Sequence, residues 1–133
     1  MTKQAIPEQY LDLFQKRAFA HLATLMPDGS PQVSPVWVDL QDGTLIVNSA
    51  RGRQKDRNMR RDARVAVEIQ DPENPYRYLL VRGRVVKITE EGADASIDRL
   101  AFKYLGQEKY PYRKPDEVRV IYQIEPQHIS GSQ

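Results

Sequence analysis

Seven basic side chains lie within fourteen residues near the middle of the chain, and their spacing gives the clearest indication of chemistry in the sequence. They are Arg51, Arg53, Lys55, Arg57, Arg60, Arg61 and Arg64. Only Asp56 and Asp62 offset them within the segment, whereas the whole chain is nearly balanced, with 20 Lys and Arg against 18 Asp and Glu. The positive charge is therefore local, and a local concentration of this kind can hold an anion.

The position of this basic segment favours an anion site over a solvated helix face, which is the common role of charge runs. The segment follows the apolar residues 45–47 directly. It begins with small residues that leave backbone N–H groups accessible, namely Asn48, Ser49 and Gly52. Arg53 and Lys55 then lie on the first turn of a helix predicted over residues 53–61. Because free N–H groups and the helix dipole already make that turn positive, cations there cost stability unless an anion lies among them.

Two kinds of anion are compatible with the basic segment. A nucleic-acid backbone is the poorer fit, because the net charge is only +2 and no basic sheet face interleaved with aromatic residues is visible. A phosphorylated cofactor is the better fit, since arginine can grip a phosphate with two N–H groups and lysine adds a point charge.

The composition excludes several other classes of protein. The chain has no cysteine, so disulfides and thiolate metal sites are ruled out, and its two histidines are far apart, so no metal is expected. No apolar run is long enough to span a membrane, and the N-terminus does not resemble a signal peptide. These features predict a cytoplasmic protein, and the length of 133 residues predicts a single domain over residues 1–133.

Hydrophobic alternation and turn residues predict a mainly β fold with flanking helices. Six strands are expected over residues 19–25, 32–40, 44–49, 65–69, 76–88 and 117–124, with a bulge or bend at Gly83. Helices are expected over residues 7–17 and over the basic segment. A third helix is expected to begin after Thr89, which would cap it, and to end at Gly106. Six strands joined mainly by tight turns predict an antiparallel sheet that closes into a small barrel, and no regular βαβ alternation or GxGxxG motif supports a Rossmann domain.

Four stretches carry a resemblance to a known family: FAHLATLMPDGSPQVSPVWV (19–38), VNSARGRQKDRNMRRDARVAV (47–67), YRYLLVRGRVV (76–86) and VRVIYQIEPQHISG (118–131). They are similar to the pyridoxamine 5′-phosphate oxidase-like superfamily of flavin and deazaflavin oxidoreductases, and most of all to the branch that uses coenzyme F420. The basic stretch is the most specific of the four. The resemblance covers residues 18–130 and implies a six-stranded antiparallel split β-barrel of the FMN-binding type.

The resemblance also implies which residues bind the cofactor. Residues 32–37 would lie along the tricyclic ring, and residues 48–55 would hold the phosphate and the start of the acidic tail. Asn58 and Arg60 or Arg61 would support the phosphate site, and the strand containing Tyr78 would complete it from the second subunit of a homodimer. The full set is Gln32, Val33, Ser34, Pro35, Val36, Trp37, Asn48, Ser49, Ala50, Arg51, Gly52, Arg53, Lys55, Asn58, Arg60 and Tyr78.

Coenzyme F420 is favoured over FMN, because FMN oxidases of this superfamily carry basic residues on the ring-side strand and residues 33–38 contain none. Pyridoxamine phosphate oxidation itself is not expected, since those enzymes run longer at the C-terminus. Two alternatives stay open: an FMN-dependent oxidase or reductase, and a protein that binds a flavin, deazaflavin or tetrapyrrole without turnover.

The expected reaction is hydride transfer to an electron-poor small molecule, enone-like or quinone-like. Since the cofactor carries the chemistry, no catalytic triad or carboxylate pair is required, and none is recognisable. The catalytic residues are therefore unknown, and the proton could come from Tyr78, Tyr110, Tyr112 or solvent. A structural or interface role is favoured for His21, and Trp37 is expected to pack against the cofactor or a partner.

Overall fold

The computed structural model describes residues 3–132, and these form one antiparallel sheet of seven strands with three flanking helices. In chain order the elements are a 3₁₀ helix (Glu8–Phe14), β1 (Ala20–Leu25), β2 (Pro31–Val36), β3 (Val38–Gln41), β4 (Thr44–Ala50), α1 (Gln54–Arg61), β5 (Arg64–Asp71), β6 (Asn74–Thr89), α2 (Ala93–Leu105) and β7 (Arg119–Ser132). The predicted fold class, mainly β with flanking helices in a split barrel, is confirmed.

The order of the strands across the sheet is β2-β1-β5-β6-β7-β4-β3. The two edge strands, β2 and β3, are thus at opposite ends of the sheet, yet only Trp37 separates them in sequence. Because consecutive Cα atoms are about 3.8 Å apart, this single residue forces the two edges together. The sheet must therefore curl into a half-barrel, with Trp37 at its closing corner.

The corner at Trp37 explains why the structure has seven strands where the sequence predicts six. Residues 32–40 are predicted as one strand. In the structure, side chains of α2 form hydrogen bonds with the backbone N–H and C=O groups of Val38, the residue after Trp37. Val38 N donates to the hydroxyl of Tyr104 at 3.2 Å, and Lys103 Nζ donates to Val38 O at 2.5 Å. The Tyr104 hydroxyl in turn donates to Ala18 O at 2.7 Å. Contacts with residues more than sixty positions away thus divide the predicted strand.

The hydrophobic core fills the concave side of the sheet with the alternate residues of its strands. Leu79, Val81 and Val85 of β6 are buried as predicted. The 3₁₀ helix adds Leu13 and Phe14 to the same core. Fully burying one such aliphatic or aromatic side chain contributes roughly 1.5–3 kcal/mol, so the core supplies a rigid support for the sheet edges.

The predicted bulge at Gly83 is confirmed. The register of β6 against β7 shifts between Arg82 and Gly83, and a Cβ atom on Gly83 would lie 2.5 Å from Glu125 O. Only glycine allows this close approach, which lets the sixteen-residue strand bend.

Three predicted element ends differ from the structure by three residues or more, and several others differ by one or two. Thr89 does not cap α2, which begins after Gly92 in the left-handed conformation (φ 77°), and Thr89 instead accepts a hydrogen bond from Glu91 N in the preceding turn. The first helix is a 3₁₀ helix that ends at Phe14, three residues before the predicted end. β7 continues to Ser132, because its second half pairs with β6 although its sequence is largely polar.

Candidate functional site

A cavity of about 180 Å³ lies at the closing corner of the barrel, next to the first turn of α1. Seven of the predicted cofactor residues line it: Pro35, Val36, Trp37, Asn48, Ser49, Arg53 and Lys55. The remaining lining residues come from elements distant in sequence, and they are Phe19, Ile97, Tyr110, Tyr112 and Arg119. The fold therefore brings the predicted ring-side strand and the predicted phosphate segment to one cavity.

Three cationic side chains line the cavity: those of Arg53, Lys55 and Arg119. The side chain of Arg119 is only 3% exposed, and it donates from Nε to Asn48 Oδ1 at 2.9 Å and from Nη1 to Glu117 Oε1 at 2.7 Å. Arg53 Nη2 donates to the other oxygen, Glu117 Oε2, at 3.2 Å. One carboxylate is thus shared by two of the three cations.

Lys55 is the cation without a carboxylate. Within residues 3–132 its ammonium group makes no ion pair, and the side chain is half-buried. Burial lowers the pKa of Lys55 from its ordinary value of 10.5, and the neighbouring charges of Arg53 and Arg119 lower it further. An anion in the cavity would offset both the repulsion and the cost of burying the charge, which makes Lys55 a candidate anion-binding residue.

Two buried hydroxyl groups have no hydrogen-bond partner within the described part of the chain. They belong to Ser49, which is 1% exposed and lines the cavity, and to Ser34 on β2, which does not line it. An unsatisfied buried hydroxyl costs roughly 1–3 kcal/mol, so a ligand oxygen bound to Ser49 would be stabilising. Ser49 and Lys55 line the same cavity and both lack a partner within residues 3–132, which fits a phosphate-bearing cofactor.

Asp56 holds the turn that carries the cavity-lining cations. It is 2% exposed, and its carboxylate accepts hydrogen bonds from Gly52 N at 2.9 Å, Arg60 Nε at 2.9 Å and the Tyr122 hydroxyl at 2.5 Å. Burial by itself would raise the pKa of Asp56, but these hydrogen bonds outweigh it and the pKa lies below its ordinary value. Gly52 has a φ of 91°, which favours glycine, so Asp56 and Gly52 together orient Arg53.

Aromatic rings form the other side of the cavity. Trp37 stacks on Tyr104 with ring centroids 5.2 Å apart, and the edge of Tyr110 meets Trp37 at 5.9 Å. Tyr112 packs against Tyr110 at 5.7 Å, and the guanidinium of Arg119 lies 5.0 Å from the Tyr110 ring centre. A cavity with an aromatic side and a cationic side suits a ligand that has a flat ring and an anionic tail.

Several predicted residues support the site from behind rather than line it. Asn58 is fully buried and donates to Thr24 Oγ1 at 3.0 Å, and Thr24 donates to Gln32 Oε1 at 3.2 Å. This chain of hydrogen bonds connects α1 to β1 and β2. Arg60 likewise contacts Asp56 rather than the cavity.

Other predicted residues lie away from the cavity. Arg51 forms an exposed ion pair with Glu90 at 2.8 Å, and Ala50 is buried in β4. Tyr78 lies on β6, where it pairs with the end of β7. Val33, which is 64% exposed, lines a groove of about 610 Å³ on the outer face of the sheet instead.

The outer groove is larger than the cavity but has a different character. It crosses β1, β5, β6 and β7, and its wall includes Leu80 and His128. His21 lies here too, with Nδ1 2.9 Å from Glu68 Oε1, and not in the cavity. Val33 is the one predicted cofactor residue among those that line this groove, so the smaller cavity is the candidate cofactor site.

Arg119, Glu117 and Asp56 are the important residues that the sequence reasoning missed. Arg119 stands between two valines in an apolar strand, and an arginine in that context signals a buried, paired cation. Asp56 was counted only as a charge that offsets its basic neighbours. Glu117 gave no sequence signal, because its role depends on the approach of Arg53 from another element.

Neither a metal-binding cluster nor a membrane-spanning helix is present in residues 3–132. Within this range, no group of three or more His, Cys, Asp or Glu side chains is arranged to hold a metal ion. No helix in this part of the chain combines the length and the hydropathy needed to cross a membrane.

Comparison with known proteins supports the resemblance seen in the sequence. The sequence profile of the pyridoxamine 5′-phosphate oxidase family matches residues 6–133. A solved structure of an F420 reductase is 35% identical, with a TM-score of 0.82, and the match covers 94% of this chain and 98% of that one.

More distant solved structures share the fold. A conserved hypothetical protein from Mycobacterium tuberculosis is 24% identical, with a TM-score of 0.75 and coverage of 100% of this chain and 90% of that chain. HupZ from Group A Streptococcus is 22% identical, with a TM-score of 0.70 and coverage of 95% and 93%. At these identities the similarity shows the fold alone.

Proposed function

We propose that this chain, which belongs to the pyridoxamine 5′-phosphate oxidase family, is an oxidoreductase that binds coenzyme F420 and reduces an electron-poor enone-like or quinone-like molecule. The family and the similar F420 reductase support a flavin- or deazaflavin-type oxidoreductase. The observation that carries the proposal is the half-buried Lys55, which has no ion-pair partner within residues 3–132 and lies beside Arg53 and Arg119 in a cavity with an aromatic wall.

The cationic side of the cavity would hold the phosphate of the cofactor tail. Arg53 and Arg119 supply guanidinium donors, Lys55 supplies an ammonium donor, and Ser49 supplies a hydroxyl that has no partner within residues 3–132. Charge-assisted hydrogen bonds of this kind are the strong ones in proteins. The backbone of β4 leads directly into this group of donors, so its position is fixed by the sheet.

The aromatic side would orient the ring and keep water away from it. When bound, F420 supplies a hydride from carbon 5 of its ring. Pro35, Val36 and Trp37 line the cavity. Trp37 is held by its stack on Tyr104, and Tyr110 closes against it edge-on. Exclusion of water by these rings would prevent loss of the hydride to side reactions.

The tyrosines around the cavity differ in whether they could donate the proton that accompanies the hydride. Tyr110 and Tyr112 line the cavity, whereas Tyr104 is committed to Ala18 O, and burial raises the pKa of Tyr104 to about 12. Tyr104 is therefore a structural group. Tyr110, Tyr112, solvent, and Tyr78 of a second copy of the chain remain the candidates.

A C2 homodimer is part of the proposal. Val33 and Leu80 are 64% and 40% exposed on the outer groove, and an apolar sheet face of this kind is commonly covered by a partner. A second copy there would also explain why Val33 and Tyr78, both expected near the cofactor, lie away from the cavity of their own chain. Light scattering at micromolar concentration should return twice the chain mass of 15.4 kDa, and a monomer mass would contradict the dimer.

The catalytic proposal is tested with chemically reduced F420. Reduced F420 is mixed with the protein and with either menadione or a cyclic enone. It should be reoxidised at a rate proportional to protein concentration, and this rate is measured from the return of deazaflavin absorbance. A Lys55→Ala variant at the same subsaturating F420 concentration should be slower, and an Arg64→Ala variant should match the parent. If reduced FMN supports turnover and reduced F420 does not, the protein is an FMN-dependent reductase. If F420 binds and no acceptor is reduced, it is a binding protein.

A further inference from the structure

Glu117 is a carboxylate placed among groups that attract anions. It lies two residues before β7, and its side chain is 8% exposed. Oε1 accepts from Arg119 Nη1 at 2.7 Å, and Oε2 accepts from Arg53 Nη2 at 3.2 Å. Burial would raise the pKa of Glu117, but the hydrogen bond and charge of Arg119, together with the charge of Arg53, hold it below the ordinary 4.5. The carboxylate is therefore ionised at neutral pH.

Glu117 changes the charge that the cavity offers to a ligand. Arg53, Lys55 and Arg119 contribute three positive charges and Glu117 one negative charge, so the group carries a net charge of +2 (3 − 1). Glu117 also engages one N–H edge of each guanidinium group. Those edges are not available to a phosphate unless the carboxylate moves away.

The repulsion between Glu117 and a bound phosphate grows in proportion to the charge of the phosphate. A phosphodiester carries one negative charge at neutral pH, whereas a phosphomonoester carries about −1.5 to −2 and has one more terminal oxygen to satisfy. The carboxylate therefore disfavours a monoester more strongly than a diester. This difference matters here because the phosphate of F420 is a diester and that of FMN is a monoester.

We propose that Glu117 is a specificity-determining residue that reduces the preference of the cationic cavity for a doubly charged phosphate over a singly charged one. The inference rests on the proposed function and deepens it, since it removes part of the electrostatic advantage that the monoester of FMN would otherwise have over the diester of F420. It differs from a role in which Glu117 only positions the two arginines, because a positioning residue would strengthen the binding of both phosphate forms alike.

FMN can test the proposal by itself, because its phosphate changes charge without any change in the ring. The monoester is mostly a monoanion at about pH 5 and mostly a dianion at about pH 8, since its second pKa is near 6. The dissociation constant of FMN is measured by flavin fluorescence at both pH values for the parent, for Glu117→Gln and for Glu90→Gln. Glu90→Gln is the matched control, because Glu90 pairs with Arg51 outside the cavity.

The parent should bind the two forms of FMN within a few-fold of one another. Glu117→Gln keeps the shape of the side chain but removes its charge, and it should shift the affinity ratio toward the dianion by on the order of tenfold. That factor corresponds to one extra ligand charge about 6 Å from the lost carboxylate at an effective dielectric constant of about 40. Glu90→Gln should keep the parental ratio. The two histidines, His21 and His128, lie in the outer groove and are common to all three proteins.

The outcomes separate this inference from the proposed function. Four results would each overturn the role of Glu117. In the Glu117→Gln variant these are equal weakening of both FMN forms, an unchanged affinity ratio, or no FMN binding at millimolar concentration. In the parent it is a preference for the dianion of more than about tenfold. Binding of F420 to the parent, measured in parallel, decides the cofactor independently. If the ratio shifts as expected and F420 does not bind, the role of Glu117 stands and the choice of F420 falls.

Discussion

Replacing Lys55 by alanine should weaken F420 binding by about ten- to a hundredfold without weakening the fold. A charge-assisted hydrogen bond contributes roughly 1.5–3 kcal/mol, and each 1.4 kcal/mol corresponds to about a tenfold change in Kd. In the free protein Lys55 has no carboxylate partner within residues 3–132, and the nearby Arg53 and Arg119 repel it. Its removal should therefore leave the free energy of unfolding unchanged or slightly higher, which is the opposite of what is expected for a lysine in a structural ion pair.

Arg53→Ala provides the comparison on the same cavity. Arg53→Ala should also weaken F420 binding by about ten- to a hundredfold. Because it removes a hydrogen bond to Glu117, a small decrease in the free energy of unfolding is expected as well. Arg64→Ala is the control, because Arg64 belongs to the same basic segment but is exposed and, among the described residues, forms its ion pair with Asp62 rather than with a cavity residue. Its binding should equal that of the parent.

The assay for these variants is titration of F420 fluorescence at low and high salt, with urea unfolding for stability. The effect of Lys55→Ala should be smaller at high salt, because screening already weakens a partly exposed charge pair. If Lys55→Ala and Arg53→Ala bind F420 as tightly as the parent, the basic segment is a solvated face and the reasoning is refuted.

Further predictions concern the buried carboxylate of Asp56 and the ammonium group of Lys55. Asp56→Asn should lower the free energy of unfolding by about 1–3 kcal/mol and weaken F420 binding, because it disturbs three hydrogen bonds to a buried carboxylate; unchanged stability in urea would contradict this. Because the pKa of Asp56 is lowered in the folded protein, the same contribution should be present at neutral pH and be lost as the pH falls through that lowered value. Binding of F420 should also decline as the pH rises through the pKa of Lys55, which lies below 10.5. Lys55→Arg should move that decline to higher pH, and an identical pH profile for parent and variant would exclude Lys55 as the titrating group.

Much of the fold was predictable because the signals for it are local. Alternation of apolar residues and the turn residues between them gave the strands, and Gly83 marked the bulge correctly. The break at Trp37 was not predictable, since residues 32–40 alternate as one strand and the interruption comes from Tyr104 and Lys103 of α2. A hydrogen bond formed across more than sixty residues leaves no trace in a local pattern.

The same distinction applies to the candidate site. Arg53 and Lys55 could be proposed because charges that cluster in sequence also cluster in space along one turn of helix. Arg119 and Glu117 come from the other side of the cavity, and only the pairing of β7 with β4 brings them to the basic segment. Asn58 was expected at the cofactor, but its side-chain amide is fully buried and donates a hydrogen bond to Thr24. Its support of the site is therefore indirect. Binding by the sixteen predicted residues stays a prediction.

The most direct test of the central claim is the visible spectrum of the protein after it is mixed with F420 and, separately, with FMN, and passed through a size-exclusion column. The deazaflavin should co-elute with the protein, and FMN should elute with the small molecules or be retained only weakly. Tight co-elution of FMN without retention of F420 would contradict the account.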